Sequence, residues 1–120
     1  MSMTIISLAT GKFVAWPDKS WFHNHLGYIL YSKGVRGFVC LRLLGDKEDG
    51  IVGWYSLNNE LYKKDLEVIA KTLKSISWPE YQELWKGYMD DEKLLKEDFE
   101  FFTRYLPSLA LRYKRGIKFI

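Results

Sequence analysis

Residues 77–107 read "SWPEYQELWKGYMDDEKLLKEDFEFFTRYLP", and this stretch decides how much of the chain is helical. Ser77 followed three residues on by Glu80 forms a capping box, with Pro79 in the first turn where its missing N–H costs nothing. A helix is therefore predicted from about Trp78, with Tyr81, Leu84, Trp85, Tyr88 and Met89 along one face. Asp90 and Asp91 open a further helix running to about Leu106, where Pro107 interrupts it. On that helix Leu95, Phe99, Phe102 and Leu106 form a stripe widened by Leu94, Phe101 and Tyr105. The stripe is broader than a peripheral helix needs, so it reads as central packing, ahead of the alternative of packing plus a partner surface.

Working back towards the N-terminus, Asn58 or Asn59 is expected to cap a helix carrying Leu61, Leu66, Ile69, Ala70, Leu73 and Ile76 at helical spacing. Before it, "VRGFVCLRLL" and "IVGWYSL" flank the turn "GDKEDG", which predicts an antiparallel hairpin near 35–57. In its first arm Val39, Leu41 and Leu43 make an apolar face, and the opposite face carries Arg42 as an exposed sheet face would. "MTIISLA" and "KFVAW" around the turn "TGK" predict two short strands at 3–8 and 12–16.

Between these β-prone regions lies "SWFHNHLGYILY", residues 20–31, which holds both histidines. Trp21, Phe22, His25, Leu26, Ile29 and Leu30 repeat as one helical stripe, with Pro17, Asp18 or Ser20 at the start and Lys33 with Gly34 at the stop. Two residues apart on a helix is 200°, so His23 and His25 point nearly opposite ways and cannot share a metal. His25 reads as a packed histidine and His23 as solvent-facing. Downstream, "PSLALRYKRGIKFI" fits both a short helix ending near Gly116 and a closing strand with Leu109, Leu111 and Tyr113 inward. The predicted fold is α+β: one domain, residues 1–120, with an antiparallel sheet packed by one early helix and three C-terminal helices.

The chemistry is bounded chiefly by exclusion. At 120 residues with 48% hydrophobic and 28% charged residues, the chain can build one core without disulfides or structural metal. No basic leader precedes the six-residue apolar run near the start, and no stretch approaches the ~20 apolar residues that span a bilayer. A cytoplasmic protein with no membrane contact is expected. The one cysteine, Cys40, has no disulfide partner and reads as a small buried hydrophobe. No phosphate-cradling glycine loop, serine elbow or Cys/His motif occurs, and nearly all the carboxylates fall on predicted solvent faces or turns where a shifted pKa is hard to arrange. No enzymatic activity, cofactor or metal is expected.

Five Trp, eight Tyr and seven Phe exceed what a core of this size uses, and large aromatics make binding hot spots. Trp16, Trp54 and Tyr55, near strand ends, and Trp78, at a helix start, are the least committed inward. Charge is segregated: residues 90–100 carry a net −4, and 101–120 carry +5 with no acid. The expected function is non-enzymatic protein binding through Trp54, Tyr55 and Trp78, with Asp90, Asp91, Glu92, Glu97 and Glu100 as an acidic rim. In size, cytosolic character and lack of catalytic equipment the chain is similar to the small inhibitors and immunity proteins with which bacteria and phages neutralise a toxin or host enzyme. This general likeness rests on no motif. The rival expectation is nucleic-acid binding by the basic segment 104–118, with Arg112, Lys114 and Arg115 as contacts and Tyr113 and Phe119 interleaved.

Overall fold

The computed structural model describes residues 4–17, 20–35 and 60–120. The expected hairpin near 35–57, with Arg42, Cys40, Trp54 and Tyr55, lies outside the described residues. What is described is an α+β fold in which helices pack on a three-stranded antiparallel sheet. Strand β1, Ile5–Ser7, is followed by helix α1, Ser20–Ser32. Strand β2, Glu60–Tyr62, leads directly into α2, Lys63–Lys74. Then come α3, Trp78–Leu84, and α4, Glu92–Glu100. A π-helical turn, Phe101–Tyr105, joins α4 to α5, Leu106–Ala110, and strand β3, Gly116–Phe119, closes the chain.

The sheet has the order β1-β3-β2, so the last strand lies between the other two. Ile5 pairs with Phe119 and Ser7 with Ile117 on one side, while Leu61 pairs with Ile117 and Tyr62 with Gly116 on the other. Residues 12–16 do not form the predicted second arm: Phe13 makes a single bridge to Ile6. The run at 3–8 finds its main partner at the far end of the chain instead. Neither reading of 107–120 holds as made: the helix ends at Ala110, well before Gly116, and the closing strand is Gly116–Phe119, which leaves out Leu109, Leu111 and Tyr113, with Leu111 exposed.

Local signals act where they stand. Ser77 Oγ accepts from Glu80 N at 3.3 Å and Glu80 Oε1 accepts from Ser77 N at 3.2 Å, the predicted capping box. Gly34, at φ +84°, ends α1 in a Schellman turn: Val35 N donates to Leu30 O at 3.0 Å and Gly34 N to Tyr31 O at 2.9 Å. Lys33 Nζ also meets Glu80 Oε2 at 2.9 Å, tying the end of α1 to the cap of α3.

Three expectations are corrected. The helix expected from Asn58 or Asn59 begins only at Lys63, because Glu60–Tyr62 pairs with β3; Tyr62 is its N-cap, and Asp65 Oδ2 accepts from Tyr62 N at 2.8 Å. The helix at Trp78 ends before Gly87, whose positive φ turns the chain and leaves Tyr88 71% exposed instead of on the buried face. Pro107 does not end the third helix. A proline lacks an N–H and crowds the carbonyl four residues before it; here the ladder slips by one residue, Leu106 N donating to Phe101 O, and Pro107 falls in the first turn of α5. Ser108 Oγ bonds Arg104 O at 3.3 Å, so a carbonyl in the slipped stretch keeps a donor.

The core gathers Phe22, Leu26 and Ile29 of α1, Leu66, Ile69 and Leu73 of α2, Tyr81 of α3, Phe102, Leu106 and Leu109 after α4, and Leu61 and Ile117 of the sheet. α2 packs most closely on α5. Trp16, expected outward, is buried at 4% exposure, edge-on to Phe22 at 5.9 Å. Among the described residues no helix is long and apolar enough to cross a membrane.

Candidate functional site

The N-cap of α4 is Asp91, whose Oδ1 accepts from Lys93 N at 3.0 Å and Leu94 N at 3.2 Å. Asp91 is thus committed to starting the helix, and the first turn adds Glu92, favourable at a helix N-terminus. Leu95 faces the core, and Phe99 and Asp98 are half-buried. That orientation leaves Glu92, Lys93, Lys96, Glu97 and Glu100, spaced i, i+1, i+4, i+5, i+8, on the outer face.

Trp78 closes this face from the neighbouring helix. Its half-buried ring lies 5.2 Å from that of Phe99, and the Lys96 ammonium sits 4.4 Å from the Trp78 ring centroid and 5.1 Å from that of Phe99. Together Trp78, Glu92, Lys93, Lys96, Glu97 and Glu100 line an open groove of 580 Å³. Four of the residues singled out from sequence, Trp78, Glu92, Glu97 and Glu100, are therefore brought to one place. Asp90 is exposed just ahead of them. No family model, curated protein or solved structure matches the chain.

The other sequence-predicted set occupies a different surface. Arg112, Lys114 and Arg115 are all exposed in the turn between α5 and β3. Phe119, expected to interleave with them, is buried in the sheet, and Tyr113 is half-buried. Arg104 is also exposed, while Lys118 is drawn to Glu60 at 3.8 Å across the β2–β3 pair.

One buried polar cluster was missed by sequence reasoning. Asp98, which no sequence signal singles out, is half-buried and accepts a hydrogen bond from the Tyr81 hydroxyl, itself fully buried. Burial pushes the Asp98 carboxyl above its ordinary value, with the Tyr81 hydrogen bond and the charge of His25 opposing. His25, packed 4.8 Å from the Trp85 ring, has its pKa lowered by burial, with Asp98 opposing. Burial, followed by the Asp98 charge and hydrogen bond, also drives the Tyr81 hydroxyl strongly upward, so it stays a donor throughout the accessible range. His25 is the packed histidine the helical stripe predicts. The side chain of His23 lies outside the described residues. Among the described residues no cluster of metal-ligating groups occurs.

The His25 environment has a sign that can be measured. A folded pKa below the ordinary 6.5 means that protonation favours the unfolded chain, so the His25 contribution to stability is lost as pH falls through 6.5. Asp98, raised, works in the opposite direction, so the comparison is made against a variant. The stability difference between wild type and His25→Gln, from urea unfolding, is expected to shrink from pH 7.5 to pH 5. A constant difference would contradict the buried, neutral imidazole.

Proposed function

We propose that the chain is a non-enzymatic protein-binding domain, acting in the cytoplasm as an inhibitor or immunity-type protein that engages a toxin or enzyme one to one. It does so through Trp78 and the outer face of α4. The observation that carries this reading is the groove in which an indole lies among the carboxylates of Glu92, Glu97 and Glu100. Trp78 is already held against Phe99, so presenting it to a partner costs little side-chain entropy. An aromatic anchor inside a charged rim is the anatomy of a binding hot spot, in which the aromatic holds the complex and the rim speeds encounter. Three carboxylates against two lysines, with Asp90 and Asp91 beside them, favour a partner with a basic patch.

The test is affinity capture from the native cell, with and without nuclease, followed by rate measurements on the recovered partner. Capture of one protein in equal amount after nuclease is expected, and it should be lost with Trp78→Ala. That substitution should weaken binding by about 2 kcal/mol or more, mostly by faster dissociation. Glu97→Lys with Glu100→Lys should instead slow association, most at low salt. Capture unaffected by either change would remove the groove from the account.

A further inference from the structure

We propose that the turn between α5 and β3 is a second binding surface, one that takes single-stranded nucleic acid through Arg112, Lys114, Arg115 and the exposed ring of Tyr105. It is independent of the Trp78 groove. Among the described residues these three cations form no ion pair; the pairs present belong to Lys33, Lys63 and Lys118. Unpaired exposed cations are free to neutralise phosphates and release counterions.

In the sequence the acidic block at 90–100 stands just before these cations, and the fold separates the two. The last acid of the chain, Glu100, precedes Leu111 by eleven residues of continuous helix through α4, the π turn and α5. At 1.5 Å per residue that is roughly 16 Å, or about two screening lengths in physiological salt. Asp91, at the start of α4, lies roughly 30 Å along the same path. Phosphate at the turn therefore feels little of the acidic face.

The turn is also held in place before any ligand arrives. Arg112 N bonds Leu109 O at 3.1 Å, Tyr113 N bonds Ala110 O at 3.4 Å, and Gly116 N bonds Tyr113 O at 3.0 Å. Tyr105 precedes Leu111, where the turn begins, by six residues of helix, roughly 9 Å. One face of the Tyr105 ring is stacked on Phe101, at 5.5 Å and 29°, and half of the residue remains exposed. A fixed, half-exposed ring beside a basic turn is a stacking platform for an unpaired base, which a duplex would not offer.

The experiment is fluorescence anisotropy of a labelled twenty-nucleotide oligothymidine with the whole chain, over a salt series. Wild type should bind at low salt, with log affinity falling against log salt at a slope of about −2, as three phosphate contacts on a single strand imply. Neutralising Arg112, Lys114 and Arg115 together should lower affinity more than about tenfold and flatten the slope. Tyr105→Ala should weaken binding about fivefold or more while leaving the slope unchanged, because stacking releases no counterions. Trp78→Ala should bind oligothymidine as wild type does. Circular dichroism matching wild type establishes that the exposed-turn variants are folded. No binding by wild type, equal binding by the triple variant, a duplex bound as tightly as the single strand, or binding only to phosphatidylserine vesicles would each overturn the proposal.

Discussion

Gly116→Ala is expected to lower unfolding stability by about 3 kcal/mol or more, a large share of what a domain of this size possesses. Gly116 has φ +113°, and a Cβ there would lie 2.0 Å from Leu61 O and 2.7 Å from Tyr62 Cα. Both are backbone atoms of the strand paired with β3, so no side chain can swing aside; the β2–β3 ladder must open. Because β3 also carries β1, disturbing this position loosens both edges of the sheet. Gly87→Ala is the control: its φ is +87°, but nothing lies within 4 Å of its Cβ, so only backbone strain of about 1–2 kcal/mol applies. Denaturant midpoints of the two variants decide the matter. Equal losses would mean that the close approach to Leu61 is not made in solution.

Phe102→Ala is expected to cost about 4 kcal/mol. Phe102 is fully buried, stacked on Phe22 of α1 at 5.8 Å and 5°, and met edge-on by Phe101 at 5.1 Å. Its loss removes the transfer energy of the ring, leaves a cavity between α1 and the π turn, and forfeits the ring pairing. Phe101→Ala, at a half-buried position one residue earlier, should cost less. The order of the two losses tests which of the two rings fills the core. Urea unfolding with Phe101→Ala the more damaging would contradict the burial of Phe102 against Phe22.

What could be read from sequence was what acts locally. The capping box at Ser77, the glycine stop at Gly34 and the stripe of α1 each involve residues within one turn of one another, and each appears where expected. What could not be read was pairing across the chain. Ile5 meets Phe119 over more than a hundred residues, and neither run names its partner. The same distant pairing moved the start of α2 to Lys63, since Glu60–Tyr62 is drawn into the sheet. Pro107 predicts a stop because a proline breaks a regular α ladder, and a one-residue slip avoids that conflict.

The candidate site divides in the same way. The spacing of Glu92, Lys96 and Glu100 places them on one helical face from sequence alone. That Trp78 would complete the face depends on its packing on Phe99, which no local signal reports. Asp98 is hidden from the sequence for a related reason: its donor, the Tyr81 hydroxyl, comes from another helix.

The most direct measurement is amide hydrogen exchange on the one-to-one complex with the captured protein, compared with the free chain. The account predicts that slowed exchange concentrates in residues 77–100, at the start of α3 and along α4, with the turn at 111–115 unchanged. Protection confined to 111–115, or to segments remote from both, would contradict binding through the Trp78 face.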